Sequence, residues 1–342
     1  MDGDKIRNYF FYLASLFIII GGIKIAAEIV IILFLAIFIS SIISTIIRIM
    51  EKKQIPKIIS YLFVLGIFTL ISLLLAYIVN ISLKDFLSNL PEYEKQLQAT
   101  VVNTLAIIED YGYVVDKKTI LDTLNFNSFF GITTNVIGSI GTFLSKFLLI
   151  IIGIAFILAE SKSFEKKLKI IFEKDKETIR NFNLFTHNIQ KYFSVKTTTS
   201  FLTGFLIALG LTFFNIDYPI LWGVIAMLFN FIPVVGSIIA AIPAVLLSLV
   251  SVDLNTTIIL IVFYITINIS ISNIVEPKFM GKELGLSPLV IFFSLILWGW
   301  VLGIVGMFLA VPITMTLKIA FDSNSSTKWI SILMSDIGRK KR

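Results

Sequence analysis

The sequence has no cysteine and one histidine, and only 15% of its residues are charged. Without cysteine the chain can form no disulfide, thiol nucleophile or thiolate metal site. His187 has no second histidine to share a metal with, and we predict that it is a surface or interfacial side chain. A nucleotide-binding glycine loop between a strand and a helix is also missing. These absences argue against an enzyme, and we expect no catalytic residue, metal or cofactor.

Apolar residues, in contrast, make up 57% of the 342 residues, whereas soluble domains are about 45–50% apolar. Several apolar runs reach the roughly 20 residues that a helix needs to cross hydrocarbon. Runs such as AEIVIILFLAIFISSIIS do not alternate apolar and polar residues, as the strands of a membrane barrel do. The sequence therefore predicts an all-α polytopic membrane protein, with about six full transmembrane helices.

The net charge of +7 comes largely from lysines and arginines in short segments between the apolar runs. The preference of basic residues for the cytoplasmic side explains this distribution without a nucleic-acid partner. We expect a multi-pass protein of a cytoplasmic (inner) membrane with both termini in the cytoplasm. The first apolar run lacks the pattern of a removable signal peptide, and we expect it to be a retained span.

Charge and hydropathy divide the chain into six parts. Acidic residues outnumber basic ones after the third span, and the spacing of apolar residues there predicts amphipathic helices outside the cytoplasm. A basic segment follows the fourth span and predicts an amphipathic helix on the anionic cytoplasmic leaflet. The predicted parts are an N-terminal hairpin with a third span (1–83), the extracytoplasmic helical segment (84–135), a span (136–159), the basic cytoplasmic helical segment (160–196), a transport core (197–320) and a cytoplasmic tail (321–342).

Lys24 and Glu28 stand four residues apart near the joint between the first two apolar runs. This spacing puts both side chains on one face of a helix. We expect an interfacial ion pair there, in preference to a role in binding substrate or ions.

Two apolar runs in the transport core, 219–250 and 287–318, are interrupted by helix breakers. A straight helix of 32 residues would be about 48 Å long, too long for a hydrocarbon core of about 30 Å. Broken helices at membrane depth are typical of carriers that bind substrate near the midplane. Both runs are predicted to be re-entrant hairpins of opposite orientation around one site, although two kinked spans or two pairs of short full spans fit the same topology. The predicted substrate-binding and transport residues are Asn230, Pro233, Gly236, Ser237, Asn268, Asn273, Glu276, Pro277, Gly299, Gly303, Gly306 and Pro312.

Three stretches of this region are similar to a known family. FNFIPVVGSIIAAIP, NIVEPKFMGKELGLSPLV and FSLILWGWVLGIVGMFLAVPITMTLKIA resemble segments of the AI-2E family of bacterial membrane transporters, most closely its autoinducer-2 exporter branch. The resemblance implies export of a small signalling molecule used in quorum sensing, re-entrant hairpins in an elevator-like mobile unit, and a homo-oligomer, expected to be a pentamer. Some relatives in the family are described as sodium/proton antiporters.

The sequence leaves three hypotheses open. The first is export of a small polar molecule like autoinducer-2, with the lipid bilayer, this substrate and copies of the chain as partners. The second is a monovalent cation/proton antiporter, which predicts that Glu276 or Asp217 titrates during transport. The third is a scaffold that transports nothing, for which the broken runs would be unnecessary. We interpret Glu276 as a surface partner of Lys278 or Lys282, rather than as a coupling acid.

Overall fold

The computed structural model describes residues 3–110, 146–173, 176–280 and 285–336. Within these ranges the chain is helical and has no β-strand, as the sequence predicts. The helices are α1 (Gly3–Ile25), α2 (Ala27–Lys52), α3 (Lys57–Asp110), α4 (Phe147–Ile171), α5 (Lys176–Phe213), α6 (Pro219–Phe229), α7 (Val235–Ser251), α8 (Leu254–Ser270), a π-helical turn (Ile271–Val275), α9 (Glu276–Met280), α10 (Pro288–Asp322) and α11 (Lys328–Met334).

In the described part of the chain, five helical segments are long and apolar enough to cross a membrane. They are Ala27–Lys52, Lys57–Asn103, Phe182–Phe213, Leu254–Phe279 and Pro288–Asp322. Four shorter apolar helices accompany them. These features identify a polytopic helical membrane protein, and the count of about six full spans stays a prediction.

Several predicted boundaries fall inside helices. The helix α3 continues without interruption past Leu83 and through Pro91 to Asp110. The basic segment 160–196 is shared between the end of α4 and the start of α5. Part of the extracytoplasmic segment, 111–135, and the beginning of the fourth span, 136–145, lie outside the described residues. The division into six parts therefore stays a prediction.

The described residues form two compact units. The first contains residues up to Gly66, Lys146–Ser194 and the chain from Met280 onward; the second contains Ile67–Ser145 and Val195–Phe279.

In the first unit, α2 packs against α4 where Gly153 lies beneath Ala36, and a Cβ on Gly153 would be 3.0 Å from that of Ala36. Phe38 and Phe193 join this core with ring centroids 4.7 Å apart. Small residues let helix backbones approach closely in lipid, where no hydrophobic force drives helices together.

The expected pair between Lys24 and Glu28 is wrong. The ammonium of Lys24 lies 3.7 Å above the ring of Trp300, and the Glu28 carboxylate is 3.0 Å from Lys146 Nζ. The helix ends at Ile25 and restarts at Ala27, so the backbone bends between the two residues. An i,i+4 pair needs both side chains on one continuous helical face.

The second broken run is a hairpin within the first unit. Trp298 Nε1 donates a hydrogen bond of 3.2 Å to Thr314 Oγ1, although 16 helical positions would separate these residues by about 24 Å in a straight helix. The chain reverses at Gly303, whose φ of 68° is left-handed. A Cβ on Gly306 would collide with the carbonyl oxygen of Trp298. Only glycine allows this backbone contact.

The first broken run is a hairpin within the second unit. Its arms, α6 and α7, pack together and are joined by residues 230–234. The turn lies where Pro233 and Gly236 predict it, and Val234 adopts a φ of 63°. A Cβ on Gly236 would collide with the carbonyl oxygen of Phe229. Both broken runs thus fold back on themselves, which contradicts the alternative of single kinked spans.

Candidate functional site

A stripe of polar residues runs along α5 in the second unit. Lys196, the adjacent pair Thr199 and Ser200, and Thr203 are separated by three or four residues from one member of the stripe to the next, which places them on one helical face. All four are buried. Polar groups inside an apolar protein must find hydrogen-bond partners because water is excluded. The partners of this face come from two separate places in the predicted transport core, the start of α9 and the turn between α6 and α7.

The first partner is Glu276, at the start of α9. Its carboxylate oxygen Oε1 is 2.5 Å from Lys196 Nζ, with side-chain exposures of 13% and 6% respectively. Thr199 Oγ1 donates a further hydrogen bond of 3.1 Å to the same oxygen. A buried charge is stable only when it is paired and hydrogen-bonded. The interpretation of Glu276 as a surface partner of Lys278 or Lys282 is therefore wrong.

The π-helical turn Ile271–Val275 comes directly before Glu276. A π-turn inserts an extra residue into a helix and changes the direction in which the following side chains point, and such turns are frequent at functional sites. Here it separates the regular helix α8 from the residue that carries the buried carboxylate. The backbone irregularity and the ion pair thus belong to one local structure.

The second partner is Asn230, in the turn of the first hairpin. Its amide Nδ2 donates a hydrogen bond of 3.0 Å to Ser200 Oγ. Thr199 and Ser200 are neighbours in sequence, so adjacent residues of α5 bind the carboxylate of Glu276 and the hairpin turn. The cluster combines a carboxylate, an ammonium, hydroxyls and an amide. These groups are able to donate and accept hydrogen bonds to a polar solute.

Two other predicted residues, Ser237 and Asn268, line a groove of about 480 Å³ between α7 and α8. Ser237 Oγ donates to the carbonyl oxygen of Val234, and Asn268 Nδ2 donates to that of Tyr264. Both side chains therefore bond to nearby backbone, and the rest of the lining is mainly aliphatic. An apolar lining suits a polar substrate less well than the cluster around Glu276.

The remaining predicted residues are distributed over both units. Asn273 and Pro277 are exposed beside the buried pair in the second unit. The first unit holds Gly299, Gly303 and Gly306 in and around the turn of the second hairpin, and buries Pro312 in its second arm.

Sequence reasoning missed Lys196, Thr199 and Ser200. Lys196 falls in the segment 160–196, which the charge pattern predicts to be a basic cytoplasmic helix, and Thr199 and Ser200 are not among the predicted site residues. The spacing of the polar residues was a usable signal, since a polar stripe on an apolar helix predicts a polar partner. The identity of that partner, 80 residues further along the chain, has no local signature.

Chain reversals inside apolar segments and a buried ion pair beside a broken helix are typical of membrane carriers. The fold and site thus define a multi-pass helical membrane protein with the features of a carrier. Residues 13–325 match the sequence model of the AI-2E family transporter. The chain belongs to this family of membrane transporters.

Individual relatives cover almost the whole chain. A protein of Haemophilus influenzae, provisionally named a transport protein, is 32% identical over 334 residues, or 95% of each chain. The AI-2 transport protein TqsA of Escherichia coli is 29% identical over 328 residues, covering 96% of this chain and 95% of its own. A third relative, YhhT of Escherichia coli, is 26% identical over 96% of this chain and 94% of its own, and is provisionally named a transport protein.

Proposed function

We propose that this protein exports a small polar signalling molecule of the autoinducer-2 type from bacteria by alternating access. The observation that carries the proposal is the pair of chain reversals at residues 230–234 and Gly303, within segments that composition assigns to the membrane. The name of the Escherichia coli relative TqsA supports the choice of substrate class. Copies of the chain are proposed to form a homo-oligomer with both termini in the cytoplasm.

Arm length supports hairpins that enter and leave the membrane on one side. The 11 residues of α6 span about 16 Å as a helix, roughly half the hydrocarbon thickness. The arm is too short to cross the bilayer. In our proposal the first hairpin and α9 move as parts of an elevator-like unit, and the cluster of Asn230, Ser200 and Glu276 contributes hydrogen-bonding groups for the substrate.

A monovalent cation/proton antiporter is the second candidate, and the Lys196–Glu276 pair specifically favours it. A carboxylate inside a membrane protein is a candidate ion-coupling group. In the structure the Glu276 carboxylate is already ion-paired with a cationic group, the Lys196 ammonium. Protonation of the carboxylate or competition from a metal cation would release the lysine and change the charge of the site.

Transport by purified protein in proteoliposomes tests both candidates. One assay measures flux of labelled autoinducer-2, and the other measures the response of an internal pH dye to a sodium gradient. Glu276→Gln is compared with Glu160→Gln, which removes an exposed carboxylate. We expect autoinducer-2 flux that Glu276→Gln reduces and Glu160→Gln preserves. A sodium-dependent dye response without autoinducer-2 flux would refute the first candidate and support the second.

Thiol labelling tests whether the first hairpin is re-entrant. Val234, in its turn, is 78% exposed, and Val262, in the uninterrupted helix α8, is 56% exposed. In a chain without native cysteine, Val234→Cys is expected to react with a membrane-impermeant maleimide, whereas Val262→Cys faces lipid and is expected to stay unlabelled. Protection of both positions would contradict a re-entrant turn that reaches water.

A further inference from the structure

The C-terminal half of α3 has no role in the proposed function, yet it presents an ordered set of side chains to the first hairpin. Phe86, Asn89 and Tyr93 lie at three- and four-residue intervals on one face of α3. All three contact residues at or just before the start of α6, in the same unit. This part of the chain is therefore a candidate for controlling the hairpin.

The connection between α5 and α6 has an unusual backbone. Asn215 has a φ of 56° and Tyr218 a φ of 58°. Residues other than glycine rarely adopt left-handed conformations, and they persist only where surrounding contacts hold them. Tyr218 immediately precedes the first residue of α6, so its backbone angles set the direction in which the hairpin leaves the connection.

Hydrogen bonds from α3 hold this connection. Tyr93 Oη donates to Asp217 Oδ2 at 3.0 Å, and Asn89 Nδ2 donates to Tyr218 Oη at 3.0 Å. Trp222 Nε1, one turn into α6, donates to the carbonyl oxygen of Asp217 at 3.1 Å. Asp217 is thus bound through its side chain by α3 and through its backbone by the hairpin.

An aromatic cluster lies beneath these hydrogen bonds. Phe86, which is 1% exposed, packs edge-to-face on Trp222 with ring centroids 5.2 Å apart and on Tyr218 at 5.9 Å. Trp222 is fully buried. Buried aromatic rings in edge-to-face contact stabilise the packing of α3 against the start of the hairpin.

We propose that Phe86, Asn89 and Tyr93 form a clamp on α3 that positions the first hairpin by fixing the connection 214–218. The clamp joins the C-terminal half of α3 and the hairpin into one body. The contact between the clamp and the hairpin is independent of the proposed function. Only the part of this inference that assigns the hairpin a role in transport rests on that function. Asn89 and Tyr93 are positioning residues, since they act on the hairpin through Asp217 and Tyr218.

Protection of a buried cysteine measures how firmly the hairpin is held. Ala226 on α6 is 4% exposed, so a thiol from Ala226→Cys reacts with N-ethylmaleimide only when the hairpin leaves its place. Adding Tyr93→Phe is expected to accelerate labelling about fivefold, the effect of losing one hydrogen bond on the closed-to-open ratio. Asn89→Leu should act in the same direction. The control Tyr77→Phe, an exposed tyrosine on the same helix, should leave the rate unchanged.

A second probe separates loosening of the hairpin from general destabilisation. Ile154 is fully buried in the first unit, and Ile154→Cys should keep its slow labelling when Tyr93→Phe is added. Equal labelling of Ala226→Cys with and without Tyr93→Phe, or equal acceleration at both probes, would overturn the clamp.

Transport by the same variants tests the link to function. Tyr93→Phe should lower the maximal rate of autoinducer-2 flux with little change in the half-saturating concentration, while Tyr77→Phe should match wild type. Changed labelling with unaltered flux would overturn the positioning role. If wild-type protein carries no autoinducer-2, the proposed substrate fails, and the labelling results still decide whether the clamp exists.

Discussion

Breaking the Lys196–Glu276 ion pair from one side is expected to destabilise the protein far more than removing both charges. Glu276→Gln leaves an ammonium that is 6% exposed without its counter-ion. Lys196→Met leaves a carboxylate whose remaining hydrogen bond comes from Thr199. Orphaning one member of a buried pair typically lowers the free energy of unfolding by about 3–5 kcal/mol.

The double variant Lys196→Met/Glu276→Gln removes both charges. Apolar or neutral replacement of a whole buried pair is often close to neutral, because the desolvation penalty disappears together with the attraction. The two single effects therefore should not add, and the coupling energy of the double-mutant cycle should be several kcal/mol, above the usual range of about 0.5–3 kcal/mol for contacting residues.

Denaturant unfolding in detergent micelles measures these differences. The exposed pair Lys167–Glu160, at 2.6 Å with side-chain exposures of 61% and 56%, is the matched control. Glu160→Gln should leave the free energy of unfolding almost unchanged, because water screens an exposed pair. Two results would refute the buried pair. One is that each single variant at Lys196 and Glu276 lowers the free energy of unfolding no more than this control does. The other is that the double variant lowers it by the sum of the two single losses.

Three further predictions concern two glycines in the hairpins and one helix cap. Gly236→Ala should destabilise the protein by about 1–3 kcal/mol or more, since the new Cβ collides with the Phe229 carbonyl. The control Gly66→Ala, at a glycine with open space around it, should be neutral or stabilising. A thermal-shift assay in detergent measures both variants. In Gly303→Ala the new Cβ meets no atom within 4 Å, yet the φ of 68° and ψ of −152° should lower the free energy of unfolding by about 1–3 kcal/mol, because residues with a side chain rarely adopt them. A neutral result would argue against this backbone conformation at the turn. Asp253 caps α8, and the hydrogen bond from the Thr256 hydroxyl holds the pKa of its carboxyl below the ordinary value. The stability that its charge contributes is therefore present above the ordinary pKa and is lost as pH falls through the lowered one. Asp253→Ala should flatten the acid limb of a pH–stability profile and Asp253→Asn should retain the cap, whereas an unchanged acid limb in Asp253→Ala would contradict the assignment.

Local sequence rules located the two hairpins because the determinants of a chain reversal are local. Pro233 and Gly236 mark the first turn, and the glycines around Gly303 mark the second. The same rules did not predict that α3 continues through Pro91 to Asp110, because the change from apolar to acidic composition at that point suggests a boundary that the backbone does not have. A helix can pass from one environment to another without a break.

The polar cluster was predicted only in part. Asn230 and Glu276 were selected because they interrupt apolar or broken segments, a property visible in sequence. Their partners Ser200 and Lys196 were not, because contacts between positions 30 and 80 residues apart depend on how helices pack. Counting charges assigned Lys196 to a membrane surface, whereas the structure buries it. Net charge over a segment says which side the segment faces, and it cannot say which single residue has an internal partner.

The glycine contacts in the two hairpins have a geometric consequence for where a cargo can sit. Gly236 rests on the Phe229 carbonyl and Gly306 on that of Trp298, so near each turn the opposing arms touch backbone to backbone. No solute fits between two main chains at that separation. If the proposed function holds, a solute bound by either hairpin is expected beside its arms, and not between them near the turn.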